Sequence, residues 1–221
     1  MTRLYIVATP IGNLEDVSKR ALRILSEVDL ILCEDTRVTK KLLDHYEIRT
    51  PTLSYHQHSR LKRIEHIIQL LKRGKNLALV SDAGTPGISD PGNQLIARLS
   101  QLDIQIIPIP GPSAVTAAAS IAGLAMDKFL FIGFPPVKKK RKRFFEEVVN
   151  SKYPVIFYES PYRIIKSLTE LRTIDNRLSV VVCRELTKKF ETIYRGTVEK
   201  VLEKLEKSEV KGEFVVIVKR K

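Results

Sequence analysis

Short apolar runs alternate with amphipathic segments along the first half of the chain. The runs have the length and composition of buried strands, and residues 60–73 place apolar side chains at helical spacing before Gly74, a helix stop. Strands are predicted at residues 4–8, 30–33, 52–55, 77–80 and 104–109, and helices at 16–28, 38–46, 60–73 and 93–102. This alternation predicts a mainly parallel sheet covered by helices on both faces.

The pattern changes after residue 113, where a helix of small residues is followed by more closely spaced strands. Strands are predicted at residues 129–132, 155–158, 178–183, 190–195 and 214–219, and helices at 114–121, 138–149, 162–172 and 198–207. We therefore predict an α/β protein with an N-terminal domain at residues 1–112 and a C-terminal domain, with a more mixed sheet, at residues 113–221.

Three loops in the first half each follow an apolar strand and precede a helix. They read ATPIGN at residues 8–13, SDAGTPGISDPG at 81–92 and PIPGPS at 108–113. Proline and glycine bend the backbone of such loops, and glycine has no side chain to cover it. A ligand can therefore approach the backbone closely. Because ligands bind outside the carboxyl ends of parallel strands, we expect these loops to form a pocket.

The charge balance points to a polyanionic partner. Hydrophobic residues make up 43% of the chain and charged residues 29%, as in a soluble globular protein, yet the net charge is +13. Such an excess favours binding to nucleic acid, although some thermophilic proteins are also rich in charged residues. No apolar run approaches the roughly 20 residues that span a bilayer. We expect a cytoplasmic protein with no membrane association.

Common catalytic motifs are missing from the chain. The loops match neither the dinucleotide fingerprint nor the phosphate-binding P-loop, and no nucleophile elbow occurs. His56 and His58 could share a strand face, but no cysteine or carboxylate pair stands beside them, so we expect no metal site.

Several long motifs occur in an order that resembles the tetrapyrrole methylase superfamily. They are LYIVATPIGN at residues 4–13, CEDTR at 33–37, SDAGTPGISDPG at 81–92, PGPSA at 110–114, YESP at 158–161 and CRELTK at 183–188. Within the superfamily, the match is to the ribosomal RNA small subunit methyltransferase I branch, and it covers nearly the whole chain.

The resemblance implies a class III methyltransferase with two α/β domains and S-adenosylmethionine in the cleft between them, usually as a homodimer. The implied reaction is 2′-O-methylation of a cytidine in the decoding region of 16S rRNA, within the small ribosomal subunit. The family pattern places the following residues at the cofactor: Ile11, Gly84, Thr85, Pro86, Gly87, Ile88, Ser113, Ala114, Tyr158, Glu185 and Glu213.

A ribose hydroxyl is a weak nucleophile, so methyl transfer to it needs a base. Asp35, Glu159 and Glu185 lie beside strand ends or loops and are candidates, with Glu159 the first choice; for each, a structural ion pair or cap is the alternative. Arg37 is a candidate phosphate holder. The basic run at residues 138–143 is predicted to anchor RNA through Lys138, Lys139, Lys140, Arg141, Lys142 and Arg143.

Two other functions remain open at this point. One is C-methylation of a tetrapyrrole precursor, although the relatives with that activity carry Gly-Asp-Pro where this chain has Gly84-Thr85-Pro86. The other is a ribosome-binding factor that keeps the fold without catalysis. The chain also departs from the pattern of the branch it resembles at Gln57, where Glu is usual, and at Tyr162, where His is common.

Overall fold

The computed structural model of the chain describes residues 2–56 and 61–220. The chain divides into two compact units, Met1–Ser113 and Ala114–Lys221. In the part of the chain that is described, no helix combines the length and the apolar character needed to cross a membrane.

The first unit is a parallel sheet with strand order β3-β2-β4-β1-β5. Its strands are β1 (Arg3–Val7), β2 (Leu30–Cys33), β3 (Thr52–Ser54), β4 (Leu77–Leu79) and β5 (Gln105–Ile109). Its helices are α1 (Lys19–Glu27), α2 (Thr36–His45), α3 (Leu61–Lys72) and α4 (Asn93–Leu99). The helices cover both faces, as the alternation of apolar runs predicts.

The two faces of this sheet hold separate cores. On one face α1 and α2 pack against strand residues such as Val7 and Ile31, and on the other α3 and α4 pack against Leu4 and Leu32. Right-handed crossovers explain this arrangement, since the chain runs outward from β1 to β3 and then returns to β5. The neighbouring strands β1 and β4 therefore send their following helices to opposite faces, which opens a crevice at their carboxyl ends.

The second unit is a mixed sheet with strand order β6-β7-β10-β8-β9, in which only the β6–β7 pair of these strands is parallel. Its strands are β6 (Leu130–Phe131), β7 (Val155–Glu159), β8 (Ser179–Arg184), β9 (Thr192–Thr197) and β10 (Phe214–Lys219). Its helices are α5 (Ala114–Ser120), α6 (Arg141–Asn150), α7 (Ile164–Ile174) and α8 (Val198–Glu206).

Helices α6, α7 and α8 pack on one face of the second sheet around a core of aliphatic and aromatic residues. Phe145 on α6 and Phe157 on β7 are fully buried there, with ring centroids 6.0 Å apart at a steep angle. Aromatic pairs prefer such edge-to-face geometry, which contributes about 0.5–1.5 kcal/mol beyond the burial of their surface.

Two helix starts differ from the prediction by three residues, each for a local reason. The helix predicted at residues 16–28 is a short 3-10 turn at Leu14–Asp16 and then α1, because the Ser18 hydroxyl accepts a hydrogen bond from Ala21 N and starts a new helix. The helix predicted from residue 138 begins only at Arg141, because Lys140 has a left-handed φ of 65°. Arg60, the predicted start of α3, lies outside the described residues.

Candidate functional site

The loops after β1 and β4 are joined at the carboxyl edge of the first sheet. Thr9 N donates to Gly84 O at 2.9 Å, and Gly84 N donates to Thr9 O at 3.0 Å. The Thr9 hydroxyl also donates to Ser81 O at 3.1 Å. These contacts hold two long loops in one arrangement, so the edge is preformed.

The loop after β5 completes this edge. The Thr85 hydroxyl donates to Pro112 O at 3.1 Å. Gly111 lies so close to the first loop that an added Cβ would stand 2.9 Å from the Ala8 Cβ, closer than real Cβ contacts come. The structure thus brings together the three loops that the sequence predicts.

Two glycines of the second loop adopt backbone conformations that other residues rarely take. Gly84 has a φ of 78° and Gly87 a φ of 80°. A Cβ on Gly84 would meet Ile11 Cγ2 at 3.4 Å, and one on Gly87 would meet Asn93 Oδ1 at 3.1 Å. Of the predicted cofactor residues in this unit, Ile11 and Pro86 are buried, whereas Ile88 is 55% exposed.

Carboxylates gather at the same edge, where the loop after β2 meets the loop after β4. Asp35 N donates to Asp82 Oδ1 at 3.0 Å. Burial, with repulsion from Asp82 and Asp90, raises the pKa of Glu34. Burial also raises the pKa of Asp90. The edge therefore carries negative charge, and a bound cation would relieve the repulsion. Sequence reasoning missed Glu34, Asp82 and Asp90, although Asp82 and Asp90 lie in the second of the three loops and Glu34 lies in the CEDTR motif.

Asp35 caps helix α2 and pairs with Arg37. Its carboxylate accepts a hydrogen bond from Arg37 N, and its Oδ2 lies 2.6 Å from Arg37 Nη2. Hydrogen bonds from the Arg37 side chain and backbone hold the pKa of Asp35 at about 2. The Arg37 side chain is 87% exposed, so it can also reach an anion.

A second group of predicted residues lies in the second unit, where β8 ends and β10 begins. Lys188 Nζ lies 2.9 Å from both Glu185 Oε1 and Glu213 Oε2, and Glu213 N donates to Glu185 Oε1 at 2.8 Å. Burial opposes ionisation of Glu185, yet the hydrogen bonds from Glu213 N and Lys188 outweigh it and lower the pKa.

The backbone around Glu185 is strained. Glu185 and Thr187 have φ values of 52° and 65°, which side chains with a Cβ rarely adopt. The buried Thr187 hydroxyl has no hydrogen-bond partner among the described residues. Strain and an unsatisfied polar group concentrate at binding sites, and this loop has both.

Glu159, our first choice for the base, has a structural position instead. Its side chain is fully buried and lies 3.1 Å from Arg163 Nε and 3.8 Å from Arg141 Nη2. It also accepts hydrogen bonds from Ser160 N and the Ser167 hydroxyl. A carboxylate this enclosed cannot touch a substrate hydroxyl in this conformation. We therefore correct its assignment from base to the centre of a buried ion cluster.

Arg141 also has to be removed from the predicted RNA anchor. It is 6% exposed, its Nε lies 2.7 Å from Glu170 Oε2, and its Nη2 donates to the Ser167 hydroxyl at 2.7 Å. The other basic side chains of the run remain exposed: Lys138, Lys139, Lys140, Lys142 and Arg143.

Of the two histidines considered as metal ligands, one lies within the described residues. His56 Nε2 lies 2.7 Å from the Ser54 hydroxyl, and His58 lies outside the described residues. Residues 2–56 and 61–220 contain no group of three or more His, Cys, Asp or Glu side chains that could hold a metal ion.

The amino-acid sequence is similar to that of a known protein family. A family model described as Tetrapyrrole (Corrin/Porphyrin) Methylases matches residues 3–202. The chain is 46% identical over 217 residues to Ribosomal RNA small subunit methyltransferase I of Synechocystis sp., covering 97% of this chain and 78% of that protein. It is 43% identical over 221 residues to the protein of the same name from Thermotoga maritima, covering 100% of both.

Solved structures resemble the chain in fold at much lower identity. Cobalt precorrin-4 methyltransferase, a cobalamin biosynthetic enzyme, aligns with a TM-score of 0.71 at 19% identity, covering 98% of this chain and 94% of that one. Uroporphyrin III C-methyltransferase of Thermus thermophilus aligns with a TM-score of 0.66 at 16% identity, covering 98% and 96%. These alignments confirm the predicted tetrapyrrole methylase fold.

Because Arg141 is buried and Lys142 is exposed, replacing each of them should have different effects on the free energy of unfolding. Arg141→Met removes a cation from the fully buried Glu159 and should lower the free energy of unfolding by about 3–5 kcal/mol. Lys142→Met is the matched control, because its side chain is 90% exposed, and it should change stability by less than about 0.5 kcal/mol. Urea unfolding measures both. Equally small changes would show that Arg141 is a surface cation after all.

The raised pKa of Glu34 predicts a pH-dependent gain in stability on substitution. A carboxyl group whose pKa is raised on folding destabilises the fold once it ionises, and contributes nothing where it is protonated in both states. Glu34→Gln should therefore raise the unfolding midpoint at neutral pH and leave it unchanged below about pH 4. A midpoint that falls at neutral pH would mean that Glu34 is held by a favourable partner.

Proposed function

The chain belongs to the tetrapyrrole methylase family, in the branch of ribosomal RNA small subunit methyltransferase I proteins, and from this we propose its reaction. We propose that it transfers a methyl group from S-adenosylmethionine to the 2′-hydroxyl of a cytidine ribose in the decoding region of 16S rRNA. The small ribosomal subunit is the proposed substrate.

One observation carries the choice of substrate. The relatives named for ribosomal RNA share 43–46% identity with this chain across both units, whereas the structures of corrin and porphyrin enzymes share 16–19%. The net charge of +13 supports the same choice, because a long RNA backbone presents phosphates over a wide protein surface, whereas the carboxylates of a tetrapyrrole precursor occupy a single pocket. We therefore favour rRNA over the tetrapyrrole alternative.

The edge of the first sheet fits the cofactor that this family uses. Methyltransferases of the family use S-adenosylmethionine, which supplies a methyl group activated by a positively charged sulfur. Gly84 and Gly87 have positive φ values and carry no Cβ that would keep a ligand away from their backbone, and the Ile11 side chain lies next to Gly84. Glu34 and Asp90 complement a positive charge and can accept hydrogen bonds from ribose hydroxyls. We propose that these loops hold the cofactor, with Ser113 and Ala114 following the third loop.

The acceptor hydroxyl must be oriented and must lose its proton as the new bond forms. With Glu159 buried, Asp35 and Glu185 remain our alternative candidates for the group that accepts a hydrogen bond from that hydroxyl. Hydrogen bonds from neighbouring groups lower the pKa of both carboxyl groups, so both are ionised at neutral pH. An ionised carboxylate can accept a hydrogen bond from the hydroxyl and orient it. A lowered pKa also makes the carboxylate a weak base. Glu34, whose pKa is raised, is the stronger base. We assign Arg37 to a phosphate of the RNA.

Cofactor binding should depend on the backbone at Gly84. Gly84→Ala places a methyl group at a positive φ beside Ile11 and should weaken S-adenosylmethionine binding by about tenfold or more, or about 1.4 kcal/mol. Gly74→Ala is the control, since Gly74 also has a positive φ but nothing within 4 Å of the added Cβ. Both variants carry the same strain of about 1–2 kcal/mol. Calorimetry giving equal affinities for the two variants would remove this loop from the site.

RNA binding should depend on the exposed part of the basic run. Changing Lys138, Lys139, Lys140 and Lys142 to Gln should weaken binding to small subunits and flatten the dependence of log Kd on log salt, by about 0.7 to 0.9 for each phosphate that is no longer neutralised. The control changes Lys62, Arg63, Lys72 and Arg73 on and beside α3, which removes the same charge from the first unit. If the two sets of substitutions weaken RNA binding equally, the basic run contributes only general electrostatic attraction and is not a specific anchor.

A labelling experiment tests the proposed reaction. The protein is incubated with methyl-labelled S-adenosylmethionine and, in parallel, small subunits, protein-free 16S rRNA and a tetrapyrrole precursor. We expect label in the small subunits, little in free rRNA and none in the tetrapyrrole. A 2′-O-methyl group blocks alkaline cleavage at its own nucleotide, so the labelled nucleotide should resist hydrolysis. Cleavage there would exclude ribose methylation, and unlabelled but bound subunits would indicate a non-catalytic factor.

A further inference from the structure

Exposed aromatic side chains are concentrated at one edge of the second sheet. Strands β6, β7 and β8 run in the same direction, because β7 and β8 are both antiparallel to β10 and β6 is parallel to β7. The loops that follow them therefore lie at the same edge. Each loop carries an exposed aromatic residue: Phe134 at 51%, Tyr162 at 95% and Phe190 at 64% exposure.

This distribution is selective. Within residues 2–56 and 61–220, these three are the only phenylalanine or tyrosine side chains that are largely exposed to solvent, while the other described Phe and Tyr residues are buried or partly buried. Exposed apolar side chains scattered singly need no explanation, but three aromatic rings in loops of one edge do. Val137, 67% exposed, adds apolar surface to the loop that carries Phe134.

The ion cluster around Glu159 makes hydrogen bonds to two of the loops. In the loop of Tyr162, Ser160 N donates to Glu159 Oε1 at 2.8 Å. Arg163 Nη1 donates to Pro135 O at 3.2 Å, and Arg141 Nη1 donates to Pro136 O at 3.2 Å. The Phe134 ring contacts that of Tyr158, with centroids 5.3 Å apart. Phe134 is thus positioned before any partner arrives, which lowers the entropic cost of binding.

Cations accompany the rings. Lys138, Lys139 and Lys140 follow the loop of Phe134, and Lys189 Nζ lies 5.7 Å from the centre of the Phe190 ring. Aromatic faces flanked by lysines are the two components with which proteins bind single-stranded RNA, because bases stack on the rings while phosphates meet the cations. An apolar protein partner would not require the positive charge.

We propose that Phe134, Tyr162 and Phe190 form a stacking surface for unpaired bases of the RNA substrate. The surface rests on the proposed function in its choice of RNA, and it adds a binding role for three residues outside the predicted cofactor and catalytic sets. In this proposal, the role of the buried ion cluster around Glu159 is to position the loops of Phe134 and Tyr162.

Binding measurements on single variants test this surface. Phe134→Ala, Tyr162→Ala and Phe190→Ala should each weaken binding to small subunits, and to a mixed-sequence single-stranded oligoribonucleotide, by roughly tenfold. Their salt dependence should keep the wild-type slope, because the same number of phosphates is neutralised. Tyr162→Phe should retain wild-type affinity and Tyr162→Leu should not, since only a flat ring stacks. S-adenosylmethionine binding should be unchanged throughout.

The control is Ile174→Ala, which removes a 43% exposed apolar side chain from the end of α7 and should leave RNA affinity unchanged. Wild-type affinity in all three alanine variants would overturn the stacking surface. So would a loss of affinity that sedimentation traces to loss of a dimer, because the surface would then bind a second copy of the chain. If wild-type protein binds the oligonucleotide through these rings but leaves small subunits unmethylated, the proposed function fails and the surface stands.

Discussion

The pair of backbone hydrogen bonds between Thr9 and Gly84 is the contact on which the candidate site depends. It joins the loops of two adjacent strands whose helices leave for opposite faces of the sheet, so the loops would otherwise diverge. Gly84 can take part because it tolerates a φ of 78°. The hydroxyl of Thr85 then fastens the third loop through Pro112 O. A rigid, bare edge results, and the carboxylates beside it give it the charge that suits a cationic methyl donor.

In the second unit, buried charged groups hold the exposed loops of Phe134 and Tyr162 in place. Burying Glu159 between Arg141 and Arg163 costs desolvation energy, and hydrophobic residues of similar size could stabilise the core as well or better. The arginines, however, also reach the carbonyl groups of Pro135 and Pro136. We infer that the cluster is kept for this geometry, since it connects two helices, a strand and a surface loop through directional contacts that apolar side chains cannot make.

Much of the fold could be predicted because the apolar runs are short and clearly separated, and residues 214–219 form a strand with the predicted ends. The roles of individual side chains were harder to predict from the sequence than the fold was. The run at residues 138–143 reads as uniformly basic, and only tertiary contacts with Glu159 and Glu170 distinguish Arg141 from its neighbours. Glu159 follows a strand, as a catalytic residue would, but sequence cannot tell which way its side chain points. Glu34 was within reach, because it stands at the carboxyl end of β2 inside a motif that the resemblance uses.

The central claim is that the joined loops of the first unit hold S-adenosylmethionine, and hydrogen–deuterium exchange with and without the cofactor tests it most directly. We predict slower exchange on cofactor addition in peptides covering residues 8–13 and 81–92, with no change in helix α3. Binding that leaves these loops unprotected, or that protects only segments away from this edge, would contradict the account.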